Sequence, residues 1–200
     1  MSIERRVQLV ENLFLQLEQE STKFQQTSGI GCVSGCGKCC THPDIEASPL
    51  EFLPWAFHLF LNGEAEETLL LLNNSTDLTC MIYKPLSLID QGRCSDYKYR
   101  GLICRLFGFA ANTDKYGKLR LATCKIIKEG QQENYHKTAE AITKDLSIPV
   151  FTEYYMQLNQ IDFHLGNIIL PVNKALKMAL EEVLQYYAYR PMPDIGKECI

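Results

Sequence analysis

Four thiols fall within nine residues in Cys32-Val-Ser-Gly-Cys36-Gly-Lys-Cys39-Cys40, with glycines at 31, 35 and 37. Thiolates bind zinc and iron–sulfur clusters, both of which usually take about four, and glycine lets a short loop turn sharply enough for several sulfurs to face one centre. Core packing gives no reason to set adjacent thiols among glycines. Cys80, Cys94, Cys104 and Cys124 follow, so eight of nine cysteines lie between 32 and 124, and Cys199 stands apart near the C-terminus as a small hydrophobe or free thiol. In extended backbone neighbouring side chains point to opposite sides, so Cys39 and Cys40 are not expected to serve one tetrahedral metal. Either the eight make two sites, or one centre takes four and the others are spare. Cys36-Gly-Lys-Cys39 lacks the strand and helix that frame a thioredoxin-like redox pair. His42 stands at the edge of the cluster as a candidate ligand or hydrogen-bond partner; His58, His136 and His164 read as surface or core residues.

The segment from Cys80 to Lys128 carries ten Lys and Arg against three acids, a net +7 that the chain's overall −4 conceals. Positive neighbours lower a thiol's pKa and raise the thiolate fraction that a metal requires. The competing readings are a solvated basic face and a docking surface for an anionic partner. Nucleic acid is disfavoured, because the chain is acidic overall and carries no recognisable reader motif.

With 200 residues, 46% of them hydrophobic and 22% charged, the chain is an ordinary globular one. A chain of this size buries roughly 70% of its unfolded surface and builds a core without covalent staples. Nine cysteines are also too few for a disulfide scaffold. The first residues have neither the unbroken apolar stretch nor the cleavage site of a secretory signal, and no run of about 18 apolar residues marks a membrane span. The expectation is a cytoplasmic chain whose clustered thiols are ligands rather than disulfides. Walker, dinucleotide-binding and nucleophile-elbow motifs are lacking.

The elements that must hold these thiols are mostly helical. Ile3, Val7, Val10, Leu13, Phe14 and Leu17 recur at helical steps and predict a helix over 2–26, ended by Gly29 and Gly31. Ser48-Pro49-Leu50-Glu51 reads as a capping box opening a helix that Pro54 bends, and a short helix follows over 64–72. Extended pieces are expected at 80–83 and 118–123, and helices at 125–146, 150–163 and 171–189. The fold class is therefore mainly α, a helical shell around an irregular cysteine-rich metal-binding region with at most short strands. It divides into an N-terminal amphipathic helix (1–29), the cysteine-cluster region (30–126) and a C-terminal helical segment (127–200) packed on it as a single domain.

The cysteine pattern resembles the YkgJ-like CxxCxxCC family, described as a zinc- or iron-chelating domain. Cys32, Cys36, Cys39 and Cys40 match the signature, with three residues rather than two in the first gap. Thr79-Cys80-Met-Ile-Tyr83, Gly92-Arg93-Cys94-Ser-Asp-Tyr97 and Arg100-Gly-Leu-Ile-Cys104-Arg105 resemble the later segments, Cys124 a late cysteine, and Glu51 an acidic position opening the next helix. Gly101 replaces a usual Pro, a departure expected to loosen the turn. Flagellin lysine N-methylase is similar over the cysteine region, and that resemblance implies a 4Fe-4S cluster used with S-adenosylmethionine.

The leading expectation is a metal-binding protein in which Cys32, Cys36, Cys39, Cys40, Cys80, Cys94, Cys104 and Cys124 hold an iron–sulfur cluster or zinc, with Arg100 and Arg105 as cations beside the thiolates. One alternative is methyl transfer to a protein lysine, with Tyr83, Tyr97 and Tyr99 lining a pocket in the basic segment. Another is a labile metal carrier or interaction module that hands its metal to a protein partner.

Overall fold

A computed structural model describes residues 1–33, 35–86 and 91–193, with Gln91 described through its backbone alone; Cys199 lies outside these. Helix α1, Ile3–Ser28, starts where the Ser2 hydroxyl accepts the Arg5 N–H at 3.3 Å. It stops at Gly29, whose φ of 67° is the left-handed conformation that glycine adopts without strain, and whose N–H returns to the Gln25 carbonyl at 2.9 Å. Past the cysteine loop come a 3₁₀ turn at Lys38–Thr41, strand β1 (Glu46–Ala47) and a second 3₁₀ turn at Pro49–Phe52 that leads into α2, Leu53–Leu61. Pro54 does not bend this helix: it sits in the first turn of α2, where its missing N–H breaks no helical bond, and the irregularity lies ahead of it.

Helix α3 (Ala65–Asn74) precedes the hairpin β2 (Tyr83–Leu86) and β3 (Gln91–Cys94), in which Tyr83 lies opposite Cys94. The extended piece expected at 80–83 starts only at its last residue, because the Tyr83 N–H folds back to the Cys80 carbonyl at 2.9 Å in a turn. A 3₁₀ turn at Tyr97–Tyr99, the short helix α4 (Leu102–Leu106) and a second hairpin, β4 (Ala110–Thr113) with β5 (Leu119–Ala122), complete the middle of the chain. The helix expected over 125–146 is two, α5 (Lys125–Gly130) and α6 (Gln132–Ile142), because Gln131 leaves helical geometry at φ −133° and ψ 43°. Then follow α7 (Phe151–Ile161), α8 (Phe163–Asn167), β6 (Leu170–Pro171) and α9 (Val172–Tyr187), with β6 antiparallel to β1. Asp162 separates α7 from α8, its carboxylate accepting the Leu165 N–H at 3.0 Å. The architecture is thus mainly α with short antiparallel strands. Among the described residues no helix is long and apolar enough to cross a membrane.

Two apolar clusters organise the helices. The larger joins the first half of α1 to α2, α4, α7 and α9 through fully buried Leu17, Leu53, Leu102, Leu158, Leu176 and Leu180. The smaller gathers Phe24, Ile30, Leu121, Ile127, Ile142 and Ile148. Each such side chain contributes about 1.5–3 kcal/mol. Arg6, buried on α1, is paired with Asp162 and Glu182 at 2.8 Å each, so a cation that would be costly alone ties α1 to the start of α8 and to α9. The cysteines lie along both clusters: Cys80 and Cys94 pack on the larger, Cys124 on the smaller.

Candidate metal centre

The glycine loop is docked by its backbone. The Gly92 N–H donates to the Gly35 carbonyl at 3.2 Å, and Gly37, at φ 56°, lies so close to Gly92 and the Tyr83 ring that an added Cβ would come within 2.6 Å of the Gly92 carbonyl oxygen and 2.7 Å of the ring. Glycine is required here on both counts. The loop then enters the 3₁₀ turn that carries Cys39 and Cys40, and the Cys80 N–H donates to the Cys40 carbonyl at 3.2 Å. The backbone at these neighbours is therefore helical rather than extended. Their side chains do not diverge as expected: the Cys40 thiol hydrogen-bonds to Cys39.

Cys80 is held from the far end of the chain. The side-chain amide of Asn173 on α9 donates to the Asp77 and Thr79 carbonyls at 3.0 and 2.8 Å and accepts the Met81 N–H at 2.9 Å. Cys94 ends β3, and two residues on, Asp96 accepts the Trp55 indole N–H at 3.0 Å. Cys104 rides on α4, whose start is fixed by Glu51. This wholly buried carboxylate accepts the Ser48 N–H and the Ile103 N–H at 2.8 Å each and the Tyr155 hydroxyl at 3.0 Å. Gly101 is not loose: a Cβ there would come within 2.8 Å of the Phe52 ring and 3.0 Å of the Glu51 carboxylate.

The eight cysteines are all free of disulfides. Cys39, Cys80, Cys94 and Cys104 form a mutually interacting set, in which each of the six pairings places one sulfur close enough to resist ionisation of the other. Burial pushes the Cys80 thiol up to about 11, and burial is also the main cause that raises Cys94 and Cys104. Cys39 goes the other way, to about 6, chiefly because the Cys40 thiol donates to it, with a further contribution from the Arg100 guanidinium; Cys40 is raised in return. Burial of its sulfur and the neighbouring thiols of Cys36, Cys39 and Cys124 raise Cys32, which lies on the exposed side of the loop.

The two arginines differ. Arg100 stacks on the Tyr97 ring at 3.9 Å and bears on both Cys39 and Cys94, while its buried Nε and Nη1 find no hydrogen-bond partner among the described residues. Arg105 is spent on the backbone, donating to the carbonyls of Arg100 at 3.1 Å and Lys98 at 2.5 Å, with Glu18 at 3.5 Å and the Phe14 ring beneath it. His42 accepts the Asp44 N–H through Nδ1. The three tyrosines do not share a pocket: Tyr97 and Tyr99 line a groove with Phe14, Leu15, Glu18 and Arg100, whereas Tyr83 lies in another beside Cys80. Sequence reasoning missed Tyr155, Asn173 and Gln131, polar residues of distant segments with no local signal to mark them.

Among the described residues no three Cys, His, Asp or Glu side chains are drawn together tightly enough to hold a metal ion as placed. The donor set nevertheless suits a thiophilic metal. It offers unpaired thiols, one of them ionised near neutrality, and an arginine with unsatisfied N–H groups beside two of the sulfurs, which suits the negative charge that four thiolates leave on zinc or a cluster. No curated protein and no solved structure matches the chain. A family model does match, over residues 31–140, and its description, "Putative zinc- or iron-chelating domain", carries nothing of S-adenosylmethionine or lysine methylation. From the glycine loop to α6, the chain belongs to the CxxCxxCC family of that description.

Proposed function

We propose that the protein is a metal-chelating protein whose principal site is made by Cys39, Cys80, Cys94 and Cys104, holding zinc or an iron–sulfur cluster as thiolates. The observation that carries this reading is the set of six mutual pairings among these four sulfurs, each brought by a different segment of the chain, whereas Cys40, which also bears on Cys39, Cys80 and Cys104, shares a single turn with Cys39. Cys40 stands beside the set as a hydrogen-bond donor to Cys39, and Arg100 supplies positive charge from the other side. When bound, the metal supplies a rigid crosslink between the glycine loop, the β2–β3 hairpin and α4. The chain's own residues fix the backbone on which the four sulfurs sit: Asn173 around Cys80, Glu51 ahead of Cys104, Tyr83 and Gly92 under the loop.

Protein purified anaerobically is expected to carry iron or zinc in stoichiometric amount by elemental analysis. Its visible spectrum separates a brown iron–sulfur protein from a colourless zinc one. Cys80→Ser and Cys104→Ser are each expected to cost the chain its most tightly held metal. A metal content and a chelator resistance that are both unchanged by the two substitutions together would show that the ligands lie elsewhere.

A further inference from the structure

Two anchors outside the four-cysteine set converge on the remaining thiols. Gly31, immediately before Cys32, is gripped on both backbone groups by one side chain. Its N–H donates to the Gln131 carbonyl oxygen at 3.0 Å, and the Gln131 amide donates to the Gly31 carbonyl at 2.5 Å. Two residues earlier, the Asn134 amide holds the Gly29 carbonyl at 3.0 Å. The start of the cysteine loop is thereby bound to the junction of α5 and α6, and α5 begins at Cys124, whose sulfur accepts the Ile127 N–H at 3.5 Å. Three side-chain hydrogen bonds across about a hundred residues fix this stretch, together with Ile30, which is buried in the smaller apolar cluster. Their effect is to bring Cys32 to Cys124, and Cys36 follows within one turn, its N–H bonded to the Val33 carbonyl at 3.2 Å.

We propose that Cys32, Cys36 and Cys124 form a second metal site beside the first, taking one zinc ion through three thiolates and leaving the fourth position to solvent or an incoming ligand. Zinc held by three protein ligands keeps an open coordination position, and exposed Cys32 puts that position within reach of solvent, so this zinc exchanges faster than one enclosed by four buried sulfurs. The family signature is thus divided: its first two cysteines belong to the outer site, the third to the inner one, and the fourth supports the third. The outer site does not depend on the reading given to the inner one, and the two fail separately.

The test is a zinc titration of the metal-free, reduced full chain under anaerobic conditions, in competition with a chromophoric chelator. Two equivalents are expected, one at least tenfold weaker. Cys124→Ser and Cys32→Ser each remove the weaker and keep the tighter; Cys104→Ser removes the tighter and keeps the weaker. The site retained by each variant reports that it has folded. Cobalt(II) provides a second readout, because sulfur-to-cobalt charge transfer scales with the number of thiolates and is expected in the ratio of three to four between the two sites. The proposal is overturned by a zinc count that Cys124→Ser and Cys32→Ser both leave unchanged; a single equivalent that both of these remove and Cys104→Ser keeps is the outer site alone, and overturns the inner reading instead. Loss of all zinc from both Cys124→Ser and Cys104→Ser means one shared centre and overturns the proposal as well.

Discussion

Glu51 accepts the backbone N–H of Ile103 at 2.8 Å, and through this one bond the turn ahead of α2 positions the helix that carries Cys104. The same carboxylate takes the Ser48 N–H and the Tyr155 hydroxyl on its other oxygen. Glu51→Gln replaces one acceptor oxygen by a donor and leaves a buried N–H unpaired, at a cost of about 1–3 kcal/mol in urea unfolding. Burial holds the Glu51 carboxyl above its ordinary value of 4.5 in the folded chain. The unfolded chain therefore loses this proton first, and the stabilising contribution is complete below pH 4.5 and declines as pH rises through the folded value. The stability gap between wild type and Glu51→Gln is expected to be widest near pH 4.5 and to narrow towards neutrality. A gap that widens with pH contradicts the assignment.

How much of this was legible in the sequence depends on the range of the interaction. Helix α1, its glycine stop and the capping residues at Ser48 and Glu51 are set by neighbours within four residues, and each is where the pattern places it. The mainly helical class and the metal-chelating family follow from periodicity and cysteine spacing. What the sequence concealed are single polar contacts across the fold. Gln131 breaks the expected helix over 125–146 where its side chain takes hold of Gly31, and nothing near residue 131 announces that. The extended reading of Cys39 and Cys40 failed for a different reason: Gly37 in the left-handed region lets the chain enter a 3₁₀ turn that their side chains alone do not predict. Arg100 and Arg105 look equivalent in sequence, and only the carbonyls around Arg105 show that its charge is already engaged.

The two loop glycines that differ most in surroundings give a paired test of the docking. Gly37→Ala places a Cβ against the Gly92 carbonyl and the Tyr83 ring in left-handed backbone, where an L-residue costs about 1–2 kcal/mol before any clash. Gly31→Ala meets nothing within 4 Å and keeps both backbone bonds to Gln131. Gly37→Ala is expected to lower the melting temperature and the bound metal together, and Gly31→Ala to leave both unchanged. Equal effects from the two would show that the loop does not sit on the β2–β3 hairpin.

Arg100→Met retains much of the apolar stem and removes the charge that faces Cys39 and Cys94. The Cys39 thiol, held at about 6, is expected to rise, although not to the ordinary 9.0, because the Cys40 hydrogen bond remains. Thiolate absorbance in the ultraviolet, followed against pH in the metal-free chain, reads this shift. Thiolates on a metal repel one another, so the same variant should release metal to a chelator several-fold faster. Arg105→Met, by contrast, frees the carbonyls of Lys98 and Arg100 and acts on stability rather than on the Cys39 titration.

Asn173 holds both flanks of Cys80 with a single amide, two bonds donated and one accepted. Asn173→Ala removes all three from a segment that has no regular structure between α3 and β2. At about 0.5–1.5 kcal/mol per bond the loss falls mainly on local opening, because α9 itself remains packed through Leu176, Ala179, Leu180 and Val183. Amide hydrogen exchange over residues 77–81 should accelerate by at least about tenfold, the equivalent of 1.4 kcal/mol, while the exchange of α1 and α9 stays near its wild-type rate. Asn173→Asp separates anchoring from mere space filling. It keeps an acceptor for the Met81 N–H but turns a carboxylate towards the Asp77 and Thr79 carbonyls, so it should open the segment at least as much as Ala does, despite its closer shape. Metal content should fall in the same order, because the proposed ligand Cys80 is kept in place only while the backbone on either side of it is held.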